Sequence, residues 1–343
     1  MRWGLRFAVA AALCSAVPCF SAENKIPATI AAFSMPILAS DGYYYGWGEA
    51  LKNAPGAPFD VKVLAHGELG ADETIFNALR RERVQLVGVG YASIATAIPE
   101  FTLLNAPFLF DTWDEVDFVY DNFLIPMLND LLRQHGMVGL RHYGQVWHGI
   151  YGRKPLHEPD QLKNVRFRAL IDPASQVIAR SLGADMIQIP MTDIVTGLQT
   201  GLIDAGETND LIYLMTGTNR DAPNYTFTRH TTSMLAILSS AKWWDTLTSA
   251  QQQLIDQGYP AVTVTRAGIR ADSVREMAIA MQAGKVVGYE LSPDARARWK
   301  DATSRVYREL IAQAGGRSQE LYDRVLAGKR AFAERNINVE TRQ

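Results

Sequence analysis

Two oppositely charged residues, Arg168 and Glu207, lie at the ends of short apolar segments that have the pattern of β-strands. Apolar and charged residues alternate over residues 165–169, which is the period of a strand with one apolar face. The guanidinium group of Arg168 could bind a carboxylate through two parallel hydrogen bonds, because its donors form a rigid fork. A solvated arginine at a strand end fits the same pattern equally well.

Catalysis is the alternative to ligand binding at these residues. An exported α/β hydrolase or lyase could use Glu207 as a general acid or base together with His148. The histidines show no zinc-ligand spacing. The segment Gly88-Val-Gly90 lacks the third glycine of a dinucleotide fingerprint, and no nucleophile elbow or phosphate loop is present. These observations favour a binding protein that has no cofactor and no metal.

The two charges lie within a stretch, residues 162–209, that has the pattern β-α-β-α-β. Asp172, followed by a proline, is typical of a helix start, whereas Thr192 can cap the next helix and Gly201 can end it. Helical crossovers of this kind join parallel strands, whose carboxyl ends form the ligand crevice of an open α/β sheet. We therefore expect the cation and the anion to share one rim of that crevice.

The N-terminal half repeats the β-α-β-α-β pattern, so the chain predicts two similar α/β lobes. Strands are expected at residues 29–34, 59–63 and 84–89, and helices at 42–53 and 71–80. Further along, we expect a loop and short buried strand over 99–110, a helix over 114–135, strands over 137–151, a strand over 230–239, a helix from Thr248 to Met281 interrupted near Gly258 and Pro260, a strand over 285–289, and surface helices over 292–313 and 318–334.

The boundaries of the two lobes follow from the positions at which the chain is expected to cross from one lobe to the other. The first lobe would comprise residues 23–147 plus about 234–270, and the second 148–233 plus about 271–310. Residues 311–343 would form a C-terminal helical segment that packs on the lobes. Short crossing connections favour lobes that hinge rather than move independently.

The first 22 residues have the pattern of a Sec signal peptide. Arg2 and Arg6 precede an apolar run over residues 7–20, and small residues favour cleavage near Ala22. Both cysteines, Cys14 and Cys19, lie in this segment, so we expect a disulfide-free protein of the periplasm. The formal charge of −2 gives no basic field for nucleic acid.

A set of motifs extends over nearly the whole chain after this segment. They are Leu162-Lys-Asn-Val-Arg-Phe-Arg168, Gly183-Ala, Ile189-Pro-Met-Thr-Asp-Ile-Val-Thr-Gly-Leu-Gln-Thr-Gly-Leu-Ile-Asp204, Glu207, His66-Gly-Glu-Leu-Gly70, Ile98-Pro-Glu-Phe, Ala106-Pro-Phe-Leu-Phe110 and Trp244-Asp-Thr-Leu. In combination they resemble the periplasmic solute receptors of tripartite ATP-independent periplasmic (TRAP) transporters, of the C4-dicarboxylate-receptor (DctP) type.

The resemblance implies an α/β, two-lobed periplasmic binding protein with mixed sheets flanked by helices. Its lobes would be joined by crossing strands and by a long helix that Gly258 and Pro260 can kink. Such a receptor closes on a small organic acid and delivers it to a membrane permease of one small and one large subunit. In this family, the arginine that matches Arg168 holds the ligand carboxylate.

The chain also departs from the family pattern. Thr208 stands where an asparagine is usual, Met191 replaces an aromatic residue, and His148 occupies the position of a second arginine in sialic-acid receptors. These departures argue against sialic acid. The expected ligand contacts are Arg168, Met191, Glu207, Thr208, Asn209, Trp147, His148 and His230, with Ser34, Asp72, Gly90 and Tyr91 closing the site from the first lobe.

Aromatic and apolar side chains, including those of Tyr43, Tyr44 and Tyr45, would add to the pocket. We expect a monomer that binds a small organic acid and a TRAP permease, and no nucleic acid. A receptor that signals to a membrane kinase is a further alternative, which neighbouring genes for a small and a large membrane subunit would decide.

Overall fold

A computed structural model describes residues 25–36 and 38–340. The predicted signal peptide lies outside these residues. The first half of the chain forms β1 (Ile26–Ala31), α1 (Ala39–Lys52), β2 (Phe59–Leu64), α2 (Asp72–Arg80), β3 (Leu86–Gly90), α3 (Tyr91–Ala95), a 3-10 helix (Pro99–Asn105), α4 (Trp113–Val119), a π-helical turn (Tyr120–Leu124), α5 (Ile125–Gln134) and β4 (Met137–Gly152). The predicted β-α-β-α-β pattern of the first lobe is confirmed.

The second half contains the predicted elements around Arg168 and a longer helical region. Its elements are a 3-10 helix (Pro159–Leu162), β5 (Arg166–Ala169), α6 (Pro173–Ser181), β6 (Asp185–Gln188), a 3-10 helix (Met191–Asp193), α7 (Ile194–Gln199), β7 (Ala205–Asn209), α8 (Asp210–Met215), a 3-10 helix (Thr218–Arg220), β8 (Asn224–Phe227), β9 (Thr232–Ser240), α9 (Ala241–Trp244), α10 (Ser249–Gly258), α11 (Val262–Gln282), β10 (Val287–Glu290), α12 (Pro293–Ala302), α13 (Val306–Ala314) and α14 (Ser318–Glu340).

One mixed sheet runs through both lobes in the order β2-β1-β3-β9-β4-β7-β5-β6, with β8 and β10 attached beside β4. Parallel pairs (β1 with β2 and β3, and β5 with β6 and β7) lie at the outer parts. Antiparallel pairs that include β9 and β4 lie in the middle. The predicted two-lobed α/β fold with mixed sheets is therefore confirmed.

The long strand β4 connects the lobes. Its first part, up to Trp147, pairs with β9, whereas the part from His148 to Gly152 pairs with β7. Helix α11 crosses on one side: its Val264 carbonyl accepts a hydrogen bond from Tyr43 of α1, and its Ser273 hydroxyl donates to Asp210 of α8 at 2.6 Å. The predicted interruption near Gly258 and Pro260 is confirmed, because α10 ends at Gly258 and α11 begins at Val262.

Three local predictions need correction. Residues 106–110 are buried but form no strand, because Phe108 has φ +53°, in the left-handed region. The predicted helix over 114–135 contains the π-helical turn just before Pro126, whose missing N–H disturbs a regular ladder. Thr192 does not cap α7: it lies inside the preceding 3-10 helix, and its hydroxyl donates to Asp193. Strand β8 was not predicted at all.

The C-terminal helix α14 packs on the first lobe. Lys329 donates to the carbonyl of Leu109 at 2.8 Å and forms an ion pair with Glu115 at 3.0 Å. Within the described chain, no helix combines the length and the apolar character needed to cross a membrane. The exact lobe boundaries, 23–147 plus 234–270 and 148–233 plus 271–310, stay a prediction.

Candidate functional site

The register of β5, β7 and β4 places Arg168 in one row with Gly206 and Tyr151. These three residues share one face of the sheet, and the missing side chain of Gly206 leaves room between the other two. A Cβ atom on Gly206 would lie 2.3 Å from the Tyr151 hydroxyl and 3.0 Å from the Cβ of Arg168. The Tyr151 hydroxyl is buried and has no hydrogen-bond partner among the described residues.

Arg168 is a buried cation at the carboxyl end of β5, with 6% of its surface exposed. Its Nε donates to the Ile189 carbonyl at 3.3 Å, and its Nη1 donates to the Glu207 carbonyl at 3.4 Å. Among the described residues no carboxylate lies within 4 Å of it, although the charge of Glu73 on α2 of the first lobe acts on it. Burial lowers the pKa of Arg168 from its usual value, and the nearby Tyr151 and Glu207 oppose this change.

Glu207 faces the opposite side of the sheet, because it follows Gly206 in β7 and side chains alternate along a strand. The side chains of Arg168 and Glu207 therefore leave opposite faces of the sheet, although β5 and β7 are parallel neighbours and Nη1 of Arg168 reaches the Glu207 carbonyl. That both residues belong to one rim of the crevice stays a prediction. The Glu207 carboxylate is buried and binds Nε2 of His230, whose Nδ1 lies 2.6 Å from the Thr228 hydroxyl. Burial alone would raise the pKa of Glu207, but the bond to His230 and its charge outweigh that effect and lower the pKa to about 2.

His148 and Asn209 extend the polar network on the Glu207 side. Nε2 of His148 and Nδ2 of Asn209 both bind the Ser233 hydroxyl, at 2.8 and 3.0 Å. Burial lowers the pKa of His148 to about 4, so the ring is neutral at pH 7, and its Nδ1 has no partner among the described residues. Asn209 also accepts the N–H of Ile212 and so caps α8. Three of the predicted contacts thus have partners within the chain: His148 and Asn209 share Ser233, and His230 binds Glu207 beside them, with its ring centroid 6.3 Å from that of His148.

The first-lobe residues meet at the carboxyl ends of β1 and β3. Asp72, at the start of α2, accepts the N–H of Gly90 at 2.8 Å, and burial raises its pKa to about 6. Ser34 is buried, and its hydroxyl lies 3.0 Å from that of Ser40. The Tyr91 side chain lies in the core with its hydroxyl bonded to His142, so it can offer a ligand only its backbone.

A cavity of about 80 Å³ lies where the two lobes meet. Ser34 and Ser40 line it from the first lobe, Gln145 from β4, and Asn209 and Asp272 from the second lobe and α11. The structure thus brings two predicted residues of opposite lobes, Ser34 and Asn209, to one small cavity, whose other lining residues are mostly apolar.

The remaining predicted contacts lie around these features. Met191 is half-buried and packs on the cluster that contains Tyr151. Thr208 is buried, and its carbonyl accepts a hydrogen bond from Tyr225 at 3.0 Å. Trp147 stacks on Trp113 with ring centroids 4.6 Å apart. The predicted tyrosine lining is incorrect for Tyr44, which packs in the first-lobe core against Tyr259, 6.1 Å away between ring centroids.

Sequence reasoning missed four polar residues near the site: Glu73, Asn105, Tyr151 and Asp172, the last of which was assigned only as a helix cap. Asp172 is buried, accepts a hydrogen bond from Asn105 at 3.2 Å and has an Oδ1 without a partner among the described residues. Burial raises its pKa to about 7. The position of Asp172 at a strand's carboxyl end was the available signal. No group of three side chains suited to a metal occurs in the described residues.

The amino-acid sequence resembles those of known periplasmic binding proteins. The chain is 25% identical over 281 residues to the ectoine-binding periplasmic protein TeaA of Halomonas elongata, covering 79% of this chain and 81% of that protein. It is 24% identical over 264 residues to the C4-dicarboxylate-binding periplasmic protein DctP of Vibrio cholerae, covering 74% and 77%.

Solved structures show the same fold. The ectoine-binding protein of the TeaABC TRAP transporter from Halomonas elongata matches with a TM-score of 0.81 and 22% identity, over 89% of this chain and all of that one. A TRAP solute-binding protein of Sulfitobacter sp. with bound β-D-galacturonate matches with a TM-score of 0.81 and 20% identity, over the same shares. The family model described as bacterial extracellular solute-binding protein, family 7 (DctP), matches residues 43–314. The chain therefore belongs to the DctP family of bacterial extracellular solute-binding proteins.

Proposed function

We propose that this extracellular solute-binding protein binds a small organic acid through Arg168 and delivers it to a TRAP membrane permease. The observation that carries the proposal is a buried guanidinium without a carboxylate partner among the described residues. Burying a cation without an anion is costly, because its hydration is lost and two long hydrogen bonds to carbonyl groups replace only part of it. A ligand carboxylate bound between the lobes would supply the missing charge and two parallel hydrogen bonds.

Relatives and structural neighbours support this ligand class. The ligands named for them include C4-dicarboxylate, succinate, galactonate and galacturonate, all of which carry a carboxylate group. The family description and the names of the relatives also support export to the periplasm. The charged-then-apolar pattern of the first 22 residues supports a signal peptide that is cleaved near Ala22. A monomer that docks on one small and one large permease subunit completes the proposal.

Two acidic residues of the first lobe, which would lie across the ligand cleft from Arg168, narrow the class of ligand. Glu73 and Asp72 lie at the start of α2, and the charge of Glu73 acts on Arg168. A second carboxylate that approached these acids would be repelled, whereas a hydroxyl or a cationic group could donate to them. We therefore infer a monocarboxylate that carries hydrogen-bond donors at its far end, in preference to a short dicarboxylate. If succinate stabilised the protein more than galactonate did, this inference would be wrong.

The ligand can be found with a thermal-shift screen against organic acids. A ligand at a hundred times its dissociation constant should stabilise the protein by about 2.7 kcal/mol. The compound that gives the largest shift is then titrated by calorimetry, and the ligand should be recovered chemically unchanged. Turnover of the bound acid would instead support an enzyme.

The role of Arg168 is tested with Arg168→Ala, with Arg166→Ala as the matched control from the same strand. Each charge-assisted hydrogen bond contributes roughly 1.5–3 kcal/mol, so Arg168→Ala should weaken binding by about tenfold to a hundredfold or more. Arg168→Lys should recover only part of the affinity, because an ammonium group cannot present the fork. Unchanged affinity in Arg168→Ala would refute the assignment, and Arg166→Ala should bind like the natural protein.

A further inference from the structure

A second concave surface lies on the outside of the first lobe, between α2 and the strand pair β1–β2. It is a groove of about 390 Å³, the size of a small-molecule or peptide-segment site. Thr29 and Lys62 lie side by side at its base, since the register of β1 and β2 pairs them. Asn77 lines it from α2, and Arg81 and Arg83 line it from the residues that follow this helix. None of the residues assigned to ligand binding lines this groove.

The groove has an unbalanced positive charge. Lys62, Arg81 and Arg83 are exposed, and none of them forms an ion pair with a described residue. Among the described residues, no acidic side chain lines the groove. The acids nearest to its three cations along the chain are Asp60, two residues before Lys62, and Glu82, which pairs with Lys242 at 2.8 Å; Glu68 and Glu73 adjoin lining residues but are not part of the lining.

Local structure explains only part of this charge. Arg81 follows the C-terminus of α2, where the helix dipole favours a cation. That effect falls off within one turn and gives no reason for Lys62 on a strand or Arg83 in a loop. Elsewhere on this chain, exposed arginines such as Arg133 and Arg298 are paired with carboxylates, and exposed cations without an ion pair, such as Lys154, Lys163 and Arg305, are spread over different segments. Three unpaired cations around one groove, on a protein of net charge −2, fit an external anionic partner.

The walls indicate what kind of anion fits. Leu64, Leu69, Ala78 and Val84 give the groove apolar lining between its cations. A small inorganic anion would leave this apolar surface unused, whereas a peptide segment that carries both carboxylates and apolar side chains would cover it. The groove also runs beside β2, which pairs only with β1 among the described strands, so a segment lying there meets an open sheet edge.

We infer that this groove is the docking site for an acidic segment of a partner protein. Under the proposed function, on which the partner's identity rests, that partner is the TRAP permease, and the segment faces the periplasm. Because the groove belongs to one lobe alone, docking would hold the first lobe while the second opens and releases the ligand. Charge attraction would make this docking strong at low salt and weak at high salt.

The test compares two triple charge reversals. Lys62→Glu/Arg81→Glu/Arg83→Glu removes the groove's charge, and Lys154→Glu/Lys163→Glu/Arg305→Glu makes the same change in net charge at exposed, unpaired positions elsewhere. The probe is a peptide that alternates glutamate and leucine, so that it carries both carboxylates and apolar side chains, titrated by fluorescence anisotropy in low and high salt. The groove variant should lose at least tenfold in affinity for the peptide, and the control variant less than twofold. A groove variant that fails to fold is replaced by Lys62→Gln/Arg81→Gln/Arg83→Gln.

Inorganic phosphate and vesicles of anionic phospholipid are the competing probes. If phosphate binds as tightly as the peptide and is lost in the groove variant, the groove is a small-anion site and the inference is overturned. Binding to vesicles in place of the peptide, equal losses in both variants, or no peptide binding at all would also overturn it. In nanodiscs that hold the membrane subunits, the groove variant should bind at least tenfold more weakly. The organic acid should still raise the melting temperature of both variants. If no organic acid raised the melting temperature of the natural protein, the proposed function would fail, whereas the docking inference would still be decided by the peptide titration.

Discussion

Arg166 and Arg168 lie two residues apart on β5 and point to the same face of the sheet, yet they have different surroundings. Arg166 is half-exposed and holds Asp204 through two hydrogen bonds, of 2.7 and 2.9 Å. Arg168 is almost fully buried and contacts only backbone carbonyls at 3.3 and 3.4 Å. The difference shows that burial without an internal counter-ion, rather than the arginine itself, identifies the candidate binding residue.

The same distinction separates two buried carboxylates nearby. Glu207 has an internal partner in His230, and its pKa is lowered to about 2. Asp172 has only the amide of Asn105 on one oxygen, and burial raises its pKa to about 7. Charges that are balanced within the chain stabilise the fold, whereas those left unbalanced are free to respond to a ligand or to pH.

The largest effect is expected when an internal partner is removed. His230→Ala would leave the Glu207 carboxylate buried without the ring nitrogen that binds it, and a buried charge that loses its partner typically costs roughly 3–5 kcal/mol. Urea unfolding followed by circular dichroism would measure the loss. The double variant His230→Ala/Glu207→Gln should recover much of it, because no buried charge is left. An unchanged urea midpoint in His230→Ala would show that the pair does not stabilise the fold.

The pH dependence of stability should separate the two carboxylates next. The pKa of Glu207 is about 2 in the folded state and 4.5 in its ordinary range, so its contribution is complete above pH 4.5 and is lost as pH falls toward 2. Asp172 behaves oppositely. The folded state holds its proton up to about pH 7, so stability falls as pH rises from 3.8 to 7.

Asp172→Asn should therefore be more stable than the natural protein at pH 8, on the order of 2–3 kcal/mol, with a smaller difference at pH 4. Glu207→Gln should flatten the loss of stability below pH 4.5. Thermal unfolding at a series of pH values measures both effects. A destabilised Asp172→Asn at pH 8 would contradict the account of an unpaired buried carboxylate.

A smaller loss of stability is expected when a side chain is added at Gly206, which separates Arg168 from Tyr151. The Cβ atom of Gly206→Ala would meet the Tyr151 hydroxyl at 2.3 Å, and overpacking of this kind costs roughly 1–3 kcal/mol. The displaced Arg168 should also bind the organic acid more weakly. Gly46→Ala in α1 is the control, since its added Cβ would meet nothing within 4 Å. Thermal unfolding measures the loss of stability in both variants, and calorimetry measures their affinity for the organic acid. If Gly206→Ala and Gly46→Ala gave the same stability and affinity, the close packing of Arg168, Gly206 and Tyr151 would be contradicted.

Sequence periodicity was sufficient for the lobes but not for the site's inner contacts. The strand predicted over residues 165–169 and the capping pattern at Thr248 depend on local sequence, and both elements are confirmed, although Arg168 is buried like its apolar neighbours. The face to which Glu207 points depends on its register against β5, and its pairing with His230 joins residues 23 positions apart. The left-handed backbone of Phe108 is likewise set by tertiary packing. Whether the predicted residues bind a ligand stays a prediction.

The smallest effect should come from Arg166, which completes the comparison on β5. Its ion pair with Asp204 is well formed but exposed, with 49% and 35% of the two side chains accessible, so water and salt screen most of its attraction. Arg166→Ala should change Tm by no more than about 2 °C and leave affinity for the organic acid unchanged. A change in affinity close to that of Arg168→Ala would mean that the strand as a whole, and not the unpaired guanidinium at its carboxyl end, forms the site.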